Sequence, residues 1–234
     1  MANESGNAYG LSILSPIKNG HKGELEFADE TRMRIQNLGL DEDSPMAKVP
    51  NTYLSRMFIL DDVILESTPA CDFCCTLNDV LSLFNDKFRL KALPKQDHLQ
   101  SKYLVFSSNF HGTLEPYLSG MWEAISDDIR HIWEHCVAFD QVKDAASFID
   151  YMKKCQLKTT LFFNGSTDDP LDEQLKSLYL KQEFSRFAVE HQGLPAAKLQ
   201  TAFAKFIERV EPENLAAPTW RPGQCTVDNY ITKG

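Results

Sequence analysis

Within residues 113–136, apolar side chains return every three or four positions: Leu114, Leu118, Met121, Trp122, Ile125, Ile129, Ile132, Trp133 and Cys136. That spacing keeps one side of a helix apolar for about six turns, so the chain must supply a surface for it to cover. Thr113 reads as the N-cap and Glu115 suits the positive end of the helix dipole. Pro116 falls inside the first turn, where a missing N–H is harmless.

The covered surface is expected to be a sheet. Residues 9–17 alternate apolar and small side chains up to Pro16, and residues 53–60 and 103–106 have strand composition. Residues 159–163, β-branched and aromatic, are closed by Asn164-Gly165 and read as a further strand. Leu25, Phe27, Ala28, Met33, Ile35 and Leu38 predict an imperfectly amphipathic helix over 21–38. Asp144 is placed to cap a helix presenting Ala145, Phe148, Ile149 and Met152. Two more helices are expected over about 172–191 and 196–210, the second showing Leu199, Phe203, Phe206, Ile207 and Val210.

The resulting order predicts an α+β fold: a ferredoxin-like split βαβ antiparallel sheet with extra C-terminal helices. The core would span 8–165 with a helical insert at about 66–99. Helices over 170–210 would pack on it, and 211–234 would form an extended tail. Helices on one face leave the other open, which a second copy of the sheet would cover in a dimeric α+β barrel. A homodimer is therefore expected.

Composition narrows the function classes. Of 234 residues 43% are hydrophobic, which excludes a disordered chain, and the formal charge of −9 (24 basic against 33 acidic) argues against nucleic acid as a partner. No run approaches the ~18 apolar residues of a membrane span. Residues 1–10 lack the features of a secretory signal, so the six cysteines are expected as free thiols in the cytoplasm. Walker, dinucleotide-binding, covalent-haem and nucleophile-elbow motifs are absent from the sequence.

Four groups of residues could carry chemistry. His131-Ile-Trp-Glu134-His135 has the H-x-x-E-H spacing of inverted zinc peptidases, with a third ligand to come from Cys136, Glu208 or Glu211. The same residues, with Asp127, Asp128 and Arg130, equally fit the solvated side of the long helix. Cys71-x-x-Cys74-Cys75 is half of a zinc or redox motif, without a second pair. The stretch 107–113, Ser-Ser-Asn109-Phe-His111-Gly-Thr, follows a strand and opens a helix, where a pocket could use His111 and Asn109. It could equally be a turn serving its own backbone. The 15 Phe and three Trp form an aromatic interior that would suit an apolar ligand.

Three blocks resemble a known group. Residues 10–20 (Gly-Leu-Ser-Ile-Leu-Ser-Pro-Ile-Lys-Asn-Gly), 103–118 and Ile132-Trp-Glu-His-Cys136, with Thr160-Leu-Phe-Phe163, resemble a poorly characterised bacterial family of the dimeric α+β barrel superfamily. That superfamily includes dye-decolorizing peroxidases, chlorite dismutases and antibiotic-biosynthesis monooxygenases. The resemblance implies a small-molecule oxidative enzyme acting on an apolar or aromatic substrate in the sheet cavity, with or without haem. His111 would serve as acid or base, Asn109 would orient the substrate, and His135 would be the first choice of iron ligand. The G-x-x-D-G segment of dye-decolorizing peroxidases is absent. A non-catalytic ligand-binding protein, or partner of a redox enzyme, is the alternative. A zinc hydrolase using His131, Glu134 and His135 is the third.

Overall fold

Apolar side chains on alternate residues of three long strands meet in register and form the floor of the main core. The computed structural model describes residues 3–40, 43–61, 99, 101–166 and 168–224. Its elements are β1 (Glu4–Ser5), β2 (Ala8–Pro16), β3 (His21–Lys22), β4 (Leu25–Glu26), α1 (Phe27–Gln36), β5 (Thr52–Leu60) and β6 (Tyr103–His111). They continue with α2 (Leu114–Trp133), α3 (Ala145–Cys155), α4 (Leu171–Glu190) and α5 (Ala196–Val210). The main sheet has the order β1-β2-β6-β5, with every neighbour antiparallel, so the fold is mixed α+β. Among the described residues no helix is long and apolar enough to cross a membrane.

Ile13 faces Phe106, which faces Met57; one row on, Ser15, Leu104 and Ile59 line up. These side chains pack with Leu118, Met121, Ile129, Ile132 and Trp133 of α2 and with Phe148 and Met152 of α3. Each fully buried aliphatic or aromatic side chain here contributes about 2 kcal/mol by leaving water. Two buried polar contacts tie the sheet to α2. Trp133 Nε1 donates to Ser15 Oγ at 3.2 Å, and the Tyr117 hydroxyl lies 2.7 Å from Ser108 Oγ while its ring stacks on Phe110.

Several elements differ from the sequence expectation. The helix expected from residue 21 begins at Phe27, because Gly23 (φ 67°) turns the small β3–β4 hairpin first. The strand expected to end at 106 runs to His111, since Ala8 to Ser12 continue to pair with it. Thr113 is the N-cap of α2 with extended backbone, but its side chain makes no capping bond, and the helix departs from helical angles at Ile125. Asp144 does cap α3, in a reciprocal box with Ser147.

No strand forms over 159–163. Gln156 bridges to Ile13 and Leu157 N donates to Ser12 O, but beyond that point Asn3 occupies the edge of β2. Gly10 N donates to Asn3 O, and Asn3 Nδ2 donates to Gly10 O and to Thr159 Oγ1. With those edge groups taken, the segment is held off as a wall and Leu161 and Phe163 stay exposed.

Helices α4 and α5 pack around Phe187, Phe206 and Val210, a cluster separate from the sheet core. Lys176, only 2% exposed, closes this hairpin. Its ammonium donates to Val210 O and Pro218 O, both at 2.7 Å, and burial lowers its pKa. Residues 211–224 form no helix or strand. The cysteines Cys71, Cys74 and Cys75 and residues 66–98 of the expected helical insert lie outside the described residues.

Candidate functional site

The H-x-x-E-H residues do not share a helix face. Helix α2 ends at Trp133, with Glu134 as its C-cap, so His135 turns away from the register of His131. His131 is exposed, whereas His135 is buried under α1. There the His135 ring stacks on Phe27 with centroids 4.3 Å apart, and Nε2 lies 2.9 Å from Glu30 Oε2. The third group brought to this point is Glu30; Cys136 is instead buried in the core, where burial pushes its thiol up to about 12.

One atom each of Glu30, Glu134 and His135 lie within 4.8 Å of one another, close enough to share an ion. Cations of the chain already serve both carboxylates. Buried Arg34 pairs with Glu30 at 2.5 Å and with Glu134, and it also donates to the His131 carbonyl. Lys22 adds a contact to Glu30 at 3.0 Å. Burial opposes ionisation of Glu30, but hydrogen bonds from Lys22, Arg34 and His135 and the charge of Arg34 bring its pKa down to about 2. The Arg34 hydrogen bond likewise lowers Glu134. As it stands the cluster is an ion-pair network fastening α1 to the end of α2. It does not fit a haem ligand either: iron at His135 Nε2 would have to displace Glu30, and a ring face is covered by Phe27.

Asn109 and His111 lie on β6 at alternate positions, both on the face away from α2. The Tyr53 hydroxyl donates to Asp169 O at 2.9 Å and lies 3.0 Å from His111 Nδ1. Because that single hydroxyl proton goes to the carbonyl, Nδ1–H is the donor in the second bond. This leaves His111 Nε2 as the acceptor nitrogen of the neutral ring. Burial raises the pKa of Tyr53, and Asp168 and Asp169 add to the rise.

Asn109 lines a cavity of about 280 Å³ on this open face, together with Gly10, Ser12, Leu54, Arg56, Ser107, Thr159 and Phe162. His111 is not among the lining residues. Ser12, Ser107 and Arg56 stand directly opposite one another across three strands, and Gly10, Asn109 and Leu54 form the adjoining row. Side chains so paired have β-carbons roughly 5 Å apart. The next row outward, Leu14, Val105 and Phe58, is apolar.

No protein-family model, curated protein or solved structure matches this chain.

The sequence reading named Asn109 and His111 but missed Ser12, Arg56 and Phe162. A signal was present: Ser12 and Arg56 occupy the same-parity positions of their strands as Leu14 and Phe58, on the uncovered side. Assigning them to one row requires the strand register, which alternation within each strand does not supply. Phe162 is brought in by the Asn3–Thr159 contacts, between residues 156 positions apart.

Proposed function

We propose that this chain is a binding domain for a small apolar or aromatic molecule held on the open face of its sheet. The cavity lined by Ser12, Arg56, Ser107, Asn109 and Phe162 carries this reading. Small-molecule sites combine apolar walls with a few placed polar groups, and here Leu54 and Phe162 would be the walls. The order β5-β6-β2, with α1 connecting β2 to β5 on either side of β6, supports a ferredoxin-like split βαβ core. Leu14, Val105 and Phe58 would then take a second copy of the chain, which closes the cavity as in a dimeric α+β barrel. Oxidation of the bound molecule by dioxygen or a peroxide, which would take up the electrons, is a second reading, favoured by His111, whose Nε2 has no hydrogen-bond partner among the described residues while Nδ1–H bonds Tyr53. In that reading Asn109 orients the substrate.

The test is a panel of neutral, cationic and anionic aromatic fragments titrated into isotope-labelled protein and followed by amide shifts. Saturable shifts at Gly10, Ser12, Ser107 and Asn109 are expected for part of the panel. A panel that moves none of them sinks the binding reading. Turnover of a bound fragment that is lost in His111→Ala, with binding kept, would establish the oxidative one.

A further inference from the structure

We infer that the open-face cavity selects a molecule with a carboxylate head on an aromatic body, a conclusion that rests on the binding reading above. Ser12, Ser107 and Arg56 form one row across β2, β6 and β5, so two hydroxyls and a guanidinium point to the same side of the sheet. None of the three side chains makes a hydrogen bond or ion pair with another described residue. The neighbours of Arg56 on its own strand and face are Leu54 and Phe58, neither of which can pair with its charge. A guanidinium donates to both oxygens of a carboxylate at once, and a serine hydroxyl can add a third donor. The adjoining Asn109 amide offers further donors.

The aromatic part of the inference comes from Phe162. Its ring lies so close to Gly10 that a β-carbon at that position would stand 2.7 Å from Cδ2 and 2.9 Å from Cε2. Only the absence of a side chain at Gly10 lets the ring settle onto the sheet. Gly10 belongs to the row beside Ser12, so the ring borders the polar row and faces Leu54 across the strands. A flat apolar body fits between them with its charged end on the Ser12–Ser107–Arg56 row.

The experiment compares 2-naphthoate with its neutral isostere 2-naphthamide by calorimetry, on the full chain and on two variants. The wild type should bind naphthoate about tenfold tighter, the scale of a charge-assisted bond. Arg56→Gln should bring the two affinities to within about twofold of each other, with naphthoate losing more than naphthamide; Arg56 is exposed, so folding is not at stake. Phe162→Ala should weaken both probes by a similar factor and leave the preference intact. Equal affinity for the two probes in the wild type overturns the carboxylate assignment while leaving a small-molecule site standing. A preference that survives in Arg56→Gln overturns the assignment to this row. If neither probe binds, the inference fails, and the broader fragment panel decides separately whether the binding reading fails with it.

Discussion

Arg34 of α1 bridges two carboxylates that are far apart in the chain, Glu30 one turn before it and Glu134 at the end of α2. Its side chain is only 8% exposed and that of Glu30 16%, so this pair is largely desolvated, whereas Glu134 is half exposed. Arg34→Ala is expected to destabilise the protein by about 2 kcal/mol, because Glu134 loses its cation and Glu30 keeps only Lys22 and His135. Urea unfolding measures it. A loss near the 0–1 kcal/mol of a surface pair would mean that the network is solvated and of little weight.

The same network predicts an acid-sensitive stability. Glu30 is lowered from its ordinary 4.5 to about 2 in the folded protein. A depressed carboxyl stabilises the fold above its unfolded pKa and loses that contribution as pH falls through the folded one. The contribution, on the order of 2 kcal/mol, should therefore be present at pH 5 to 7 and decline between about pH 4.5 and 2. Comparing unfolding midpoints of wild type and Glu30→Gln across that window checks it. Parallel pH curves for the two proteins would remove Glu30 as the cause.

Two N-caps make a paired prediction. Asp144 Oδ1 accepts from Ser147 N at 2.8 Å and Asp144 N donates back to Ser147 Oγ at 3.0 Å, whereas Thr113 makes no side-chain capping bond. Asp144→Ala should lower the melting temperature clearly and Thr113→Ala should leave it almost unchanged. The reverse order would show that Thr113 caps α2 in solution.

The apolar row on the open face makes a prediction about assembly. Phe58 is 45% exposed there, next to Val105 and Leu14. Sedimentation should show a dimer for the wild type, and Phe58→Asp should return it to a monomer, since a desolvated unpaired carboxylate opposes burial. A wild-type monomer at high concentration would falsify the dimer proposal.

Periodicity reported what lies along one element, and it failed where distant segments compete. The helix after residue 113 and the Asp144 cap were legible because their signals sit within a few residues. The strand expected at 159–163 has suitable residues, but Asn3 holds the adjacent β2 edge. His135 was expected on a solvated helix side, since nothing local marks the helix end at Trp133 or the arrival of Phe27 and Glu30 above it. The candidate cavity had the same difficulty: Ser12, Ser107 and Arg56 are ordinary in their own strands and become a row only through register.

The way Lys176 closes the α4–α5 hairpin gives that unit its own reporter. Its amine is enclosed and occupied by two carbonyls, at Val210 and Pro218. An acylating reagent should therefore modify it only when the hairpin opens, while exposed lysines such as Lys198 and Lys205 react at once. The delay at this one residue, followed by mass spectrometry, would time the opening of the carboxy-terminal helices independently of the sheet, whose core shares no residue with theirs.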